Sequence, residues 1–237
     1  MTAVTHESTR RRTVGVWWLA LSALAVAVFA PLPYLTDTLA DLASDDSGIA
    51  ANYADRPRWA QAFFYTHIVA AGLALLLSPA QLSARVRRRS PRLHRICGRV
   101  TVACILLGGA AGLVLAPLNL AGAVGTAGFG MPAVLWVTCA LMGLRAIRWG
   151  TVGEHRRWMQ RAFAFTYAAV TLRLWLVVLV PMTDFDRAYR VVPFLCWVPN
   201  LIVVELLLRR RGQRPRAGHR QADPARDPAP DPQPRAG

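Results

Sequence analysis

The sequence predicts an all-α polytopic membrane protein, a bundle of six transmembrane helices, and three observations predict it. Six runs carry few or no charges: residues 14–35, 59–82, 100–120, 131–149, 162–181 and 191–208. At a rise of about 1.5 Å per residue, each is long enough to cross a hydrocarbon core about 30 Å thick. The composition agrees, with 54% hydrophobic and only 17% charged residues. The third observation is where the basic residues stand. All 28 are arginine, and they alternate in density from one connection to the next.

That alternation predicts the topology. The N-terminal tail carries three arginines, "SARVRRRSPRLHRICGR" seven, the end of the fourth run with its following loop five, and the C-terminal tail eight. The three opposite connections share only four, and one of those connections contains the acidic "DTLADLASDD". By the positive-inside rule both termini are cytoplasmic and the protein is a multi-pass protein of the cytoplasmic (inner) membrane. A net charge of +15 placed in this way answers anionic lipid headgroups at the cytoplasmic face and argues for no nucleic-acid partner. The chain divides into a cytoplasmic N-terminal tail (1–13), the six-helix transmembrane domain (14–208) and an Arg/Pro-rich cytoplasmic tail (209–237). The last is expected to be disordered, because it has almost no large apolar residues.

The first run follows "TRRR" as a signal peptide would, but it is longer than an h-region and ends in "APLPYL" without a small-residue cleavage site. It reads as a retained helix. The connection after it holds Gly, Ser and Asp turn formers and is expected to lie over the outer mouth of the bundle. In the second run, His67 begins a stripe with Ala71, Ala74, Ser78 and Gln81 at helical spacing. The third run repeats small residues at Cys104, Gly108, Gly112 and Ala116, a pattern that lets helix backbones approach closely. Three of the four cysteines lie in apolar runs without metal-ligand spacing, so all four read as small hydrophobes.

The fifth run places Arg173 inside "AAVTLRLWLVVLV", about 16 Å from the inner end. An arginine at a helix centre costs roughly 2.5–3.5 kcal/mol on insertion scales, so it must face the bundle interior. Ala162, Thr166, Ala169 and Arg173 form a small, polar stripe that would turn it inward. In the sixth run Asn200 stands about 17 Å from the inner side. Pro199 beside it leaves the carbonyl of Leu195 without its helical donor. His67, about 18 Å from the inner side, completes a layer of His67, Arg173 and Asn200 around a midplane cavity, with Gln81 deeper on the same stripe. Glu205 is one turn from Arg209, which suffices as an i,i+4 pair.

A second candidate set lies at the cytoplasmic boundary. "LHRICGR" opens the third helix and "EHRRWMQR" the fifth, a short echo that suggests related hairpins. His94 and His155 with Arg95, Arg99, Arg156, Arg157 and Arg161 either meet lipid headgroups, bind phosphate groups or hold a haem.

Over residues 64–205 the chain resembles a family of bacterial predicted membrane proteins known as domain of unknown function 2306. The resemblance rests on "HIVAAGLALLLSPAQ", "RLHRICGRV", "HRRWMQRAFAFTYAAVTLRL" and "WVPNLIVVE". It implies His67, Gln81, His94, Gly98, Arg99, His155, Arg156, Trp158, Arg161, Arg173, Asn200 and Glu205 as marked positions. It brings no established activity.

The residues themselves therefore carry the functional reading. The leading one is a buried site of His67, Arg173, Asn200 and Gln81 that binds or moves a small anionic or amphiphilic ligand, with Arg173 as counter-charge and His67 as proton partner. One alternative is a b-type haem or quinone-linked redox protein, whose ligand candidates are His67, His94 and His155. Another is a structural or assembly protein whose polar residues lock its helices. The signatures HExxH, GxSxG and a phosphate-binding glycine loop are missing. Enzyme or not, and with which cofactor, is left open.

Overall fold

The computed structural model describes residues 2–44 and 48–212, so residues 213–237 of the expected disordered tail lie outside the described residues. Within them the chain is helical almost throughout, with no strand. Six helices are long and apolar enough to cross a membrane: Val14–Thr36, Arg58–Leu82, Pro91–Leu118, Gly122–Arg148, Val152–Met182 and Phe185–Arg210. Consecutive spans alternate in direction. One end of the bundle, here the terminal face, holds the connections around residues 83–90 and 149–151; the other is the distal face.

The first span is α1 (Thr2–Phe29) followed by the short α2 (Leu32–Thr36), which restarts with proline in its first turn. Two more short helices, α3 (Leu39–Ser44) and α4 (Gly48–Ala54), form the long connection. They do lie across the distal end. Leu39, Ala50 and Tyr53 bury themselves against Phe64 and Leu115, and Tyr53 stacks on Phe64 with ring centroids 4.5 Å apart. Polar anchors hold the cap down: Asn52 donates to the Leu118 carbonyl at 2.8 Å, and Gln61 donates to the carbonyls of Tyr53, Ala54 and Arg56.

The second span, α5 (Arg58–Leu82), is joined by α6 (Ala84–Arg89) to the third, α7 (Pro91–Leu115). The fourth is α8 (Gly122–Arg148). Its C-terminus closes on Gly150, whose φ of 74° suits glycine, while the Thr151 N–H returns to the Ala146 carbonyl at 3.0 Å. Helices three, four and five begin well before the apolar runs do. Charged or Gly-rich turns outside the hydrocarbon still complete a helix, because their backbone groups bond within it whatever the side chains. For the same reason the last helix runs on to Gly212 rather than ending at 208.

The fifth and sixth spans are each two helices. The fifth is α9 (Val152–Thr166) and α10 (Ala168–Leu179), broken at Tyr167. The sixth is α11 (Phe185–Leu195) and α12 (Val198–Gly212), broken at Cys196–Trp197 between Pro193 and Pro199. Prolines explain the second break by removing backbone donors. The first has neither proline nor glycine beside it. At Tyr167 the ladder tightens, with Val170 N–H bonding the Tyr167 carbonyl at 2.9 Å.

The core lies between α5, α7, α8, α9 and the break in the sixth span. It packs Ile105, Trp136, Cys139, Phe165 and Trp197 around small residues such as Ala74, Ala140 and Ala162. Both indoles find acceptors: Trp136 donates to Thr166 Oγ1 at 2.9 Å and Trp197 to the Gly128 carbonyl at 3.1 Å. All four cysteines are free thiols, with Cys104, Cys139 and Cys196 buried and Cys97 half-buried. The first span packs on α5 and α10, where Tyr167 hydrogen-bonds Ser22 at 2.7 Å.

Candidate functional site

The stripe of α5 that begins at His67 is the seam with α7. His67 Nδ1 lies 2.8 Å from the Gly108 carbonyl, so that nitrogen carries the proton and Nε2 keeps its lone pair. A Cβ on Gly112 would sit 3.0 Å from the imidazole, and one on Gly108 would sit 3.3 Å from the Ala71 nitrogen. The small residues of the third helix thus make room for His67 and for the α5 backbone. At the other end of the seam Gln81 meets His94 and Gly98. With the amide oriented to satisfy every partner, its N–H groups donate to the His94 carbonyl at 3.2 Å and to His94 Nδ1 at 3.1 Å. Its oxygen accepts from Gly98 N–H at 3.2 Å. Gln81 therefore clamps the terminal end of the seam, away from Arg173.

Asn200 stands in the two helix breaks. Its amide donates to the Ala164 carbonyl at 3.2 Å, to Thr171 Oγ1 at 3.0 Å and to the Cys196 carbonyl at 3.0 Å, and Thr171 donates in turn to Cys196 O. Backbone freed from helical pairing is tolerated at this depth where protein satisfies it.

Arg173 is two residues from Thr171, about 200° around the helix, and so points away from Asn200. The break at Tyr167 divides the expected inward stripe. Ala162 and Thr166 are buried, but Arg173 is exposed. It lies within electrostatic range of Tyr34 on α2 and of His67. Among the described residues its sole hydrogen bond runs from NH1 to the Ala169 carbonyl of its own helix at 2.8 Å, and no carboxylate pairs with it. His67 and Arg173 both stand nine residues from the distal ends of their spans, at Arg58 and Met182, or about 14 Å beneath them. Above, Tyr34 also borders an open cavity of about 430 Å³ on the distal face, lined by Asp37, Gln61 and Tyr65 among others. The structure thus sets His67 and Arg173 at one depth and within electrostatic range of each other, with Tyr34 in range of Arg173, while Asn200 and Gln81 bond elsewhere.

At the terminal face His94 and His155 come within electrostatic range of each other, with Arg87 also near His94. His155 Nδ1 lies 2.8 Å from the Gly143 carbonyl of α8. Each histidine is the fourth residue of its helix and is held by the preceding span, so the sequence echo corresponds to like positions in two hairpins. Arg95, Arg99 and Arg156 are exposed around them. Arg157 pairs with Glu154 at 3.3 Å on the surface.

Arg161 is placed otherwise. It forms a forked pair with Glu205 across α9 and α12, Nε to Oε1 at 2.5 Å and NH2 to Oε2 at 3.1 Å, and its guanidinium lies 4.8 Å from the Trp158 ring. This corrects the i,i+4 assignment of Glu205 to Arg209. A half-buried carboxylate takes the planar fork that desolvation strengthens, and the exposed Arg209 is left to solvent. Tyr34 escaped the sequence reading because it sits beyond Pro31 and Pro33, where only the folded chain shows what lies beneath it. Among the described residues no three His, Cys, Asp or Glu side chains are grouped to hold a metal ion.

Six apolar spans, three of them made of two helices, around polar side chains at membrane depth define an α-helical polytopic membrane protein. The chain belongs to the family described as predicted membrane protein (DUF2306), whose family model matches residues 64–208. No curated protein and no solved structure matches the chain.

Proposed function

We propose that this protein binds an anionic amphiphile, a lipid or small organic acid, through Arg173, with Tyr34 and His67 completing the site. One observation carries the reading: among the described residues, a guanidinium inside a membrane span uses one of its five N–H donors, on its own helix, and has no acidic partner. Such a group is costly in hydrocarbon unless an anion meets it. His67 supports the reading because its free Nε2 can accept a hydrogen bond from an acid, while Nδ1–H stays on Gly108. Asn200 and Gln81 have a different role in this reading. They hold the helix breaks and the α5–α7 seam that flank the site.

The orientation follows the arginines. The terminal face is taken to be cytoplasmic in an inner membrane, which puts Arg173 in the outer half of the bilayer. Exposed Ser44 and Ser90, each replaced by cysteine, test this with an impermeant maleimide on intact cells. Labelling of the Ser44→Cys chain alone is expected, and the reverse pattern would invert the topology.

To test the ligand, the full chain is purified in mild detergent and its co-purifying lipids and acids are identified by mass spectrometry. Anionic species enriched over the bulk membrane, lost in Arg173→Ala and retained in part by Arg173→Lys, are expected. Identical profiles for the unmodified chain and Arg173→Ala would overturn the reading. A Soret band in the unmodified chain, abolished by His67→Ala, would replace it with the haem alternative.

A further inference from the structure

We propose that the cavity on the distal face binds a protonated primary amine, an alkylammonium carried by a free amine or by an ethanolamine headgroup, with Asp37 as its counter-charge. It shares Tyr34 with the Arg173 reading but does not rest on it, and its ligand has the opposite charge.

The walls come from two parts of the chain that packing on one ring brings together. Beyond Pro31 and Pro33 the short α2 ends at Asp37, whose N–H closes on the Pro33 carbonyl at 3.0 Å. Gln61 and Tyr65 stand one turn apart on α5, so they share a face. Phe64 joins the two parts. Its ring centroid lies 5.2 Å from that of Tyr34 and 5.8 Å from that of Tyr65, edge to face in both pairs. The cavity of about 430 Å³ has the size of a small-molecule site. Tyr34, Asp37, Thr38, Gln61 and Tyr65 line it, and Leu35 and Leu39 add apolar wall.

The hydrogen bonds decide which charge the cavity takes. Gln61 Nε2 donates to the carbonyls of Tyr53, Ala54 and Arg56 at 3.2, 2.9 and 3.1 Å. That fixes the orientation of the amide and leaves Oε1 without a donor among the described residues. Asp37 receives the Thr36 hydroxyl on Oδ2 at 2.8 Å, and among the described residues Oδ1 has no donor. Thr38 and Asp41 engage each other at the start of α3: Thr38 Oγ1 donates to Asp41 Oδ2 at 2.6 Å and accepts from the Asp41 N–H at 3.2 Å. The phenols of Tyr34 and Tyr65 make no hydrogen bond among the described residues. Arg56, just beyond Ala54, is turned to the Asn52 carbonyl at 3.2 Å and to Asn52 Oδ1 at 3.4 Å. Among the described residues Asp37 is therefore the one charged side chain on the wall, and what the wall has left over is acceptors. A primary ammonium brings three N–H donors to them with the matching charge. A quaternary ammonium has the charge and no donor, and an anion would meet the carboxylate with no basic group to offset it. A metal ion would find a single carboxylate, where hard cations gather about six to eight oxygens.

The experiment uses the full chain labelled with 3-fluorotyrosine in phosphatidylcholine nanodiscs. Its five tyrosines give five ¹⁹F signals, assigned by single Tyr→Phe variants. Butylammonium at neutral pH is expected to move the Tyr34 and Tyr65 signals saturably and leave those of Tyr167 and Tyr189 in place. Tetramethylammonium, which lacks the N–H donors, and butanol, which lacks the charge, should bind at least about tenfold more weakly. Asp37→Asn, at an exposed position, should weaken butylammonium binding by at least about tenfold, and Asp41→Asn by less than about threefold. If the free amine is silent but phosphatidylethanolamine in the discs moves both signals, and Asp37→Asn prevents it, the ammonium is a lipid headgroup. Equal responses to butylammonium and tetramethylammonium, or a butylammonium response that Asp37→Asn leaves intact, would reduce the cavity to a screened acidic surface and overturn the proposal. So would silence in both the free-amine and the phosphatidylethanolamine arms.

Discussion

The amide of Asn200 donates to the Ala164 carbonyl at 3.2 Å, so a side chain of the sixth membrane span occupies the break in the fifth. The same amide reaches Thr171 Oγ1, on the far side of that break, and the Cys196 carbonyl in its own. Two interruptions on adjacent helices are thus joined through one residue. Neither would be stable alone in hydrocarbon, where an unpaired carbonyl has no water to accept from.

Asn200→Leu keeps the volume and removes the donors. Interhelical hydrogen bonds in membranes average about 0.6 kcal/mol, and leaving buried acceptors bare adds to that, so a loss of about 1–3 kcal/mol is expected. Thr171→Val should lose less, because Asn200 keeps its other two acceptors. Unfolding free energies in mild detergent measure both, and an Asn200→Leu chain as stable as the original would remove the clamp.

Gly112 and His67 should be coupled. Gly112→Val forces carbon into the 3.0 Å approach of the imidazole and should dislodge it from the Gly108 carbonyl. Adding His67→Ala relieves the clash, so the double variant is expected to be more stable than the sum of the singles by about 0.5–3 kcal/mol. Strict additivity in that double-mutant cycle would mean the ring and the glycine do not meet.

The Arg161–Glu205 pair depends on shape as well as charge. Arg161→Lys keeps the charge but loses the fork to both carboxylate oxygens, and should destabilise by on the order of 1–2 kcal/mol. Arg209→Ala, at an exposed position, should change stability by less than about 0.5 kcal/mol. If the two variants exchange these effects, Glu205 pairs along its own helix after all.

The class of the protein, its six spans and the alternation of its arginines were legible in the sequence because each follows from a local count: apolar length against bilayer thickness, and charge against face. The close seam at Gly108 and Gly112 was legible too, since four-residue spacing puts small residues on one side of a helix whatever its partner. The joint layer of His67, Arg173 and Asn200 was not. Depth along a helix can be counted, but direction around it cannot be carried across the break at Tyr167, and there Arg173 parts from Asn200.

By itself, then, the sequence determined that this chain lives in a membrane, how many times it crosses, and which polar residues lie at membrane depth. Tertiary structure alone decided what those residues touch. It gave His67 to Gly108, Gln81 to His94, Glu205 to Arg161 and Asn200 to the broken backbone, and left Arg173 in electrostatic range of Tyr34 and His67 with no acid paired to it among the described residues. The physical reason is that burial depends on length and composition, which run along the chain. Hydrogen bonding depends on direction and a few tenths of an ångström between helices, which only their packing sets.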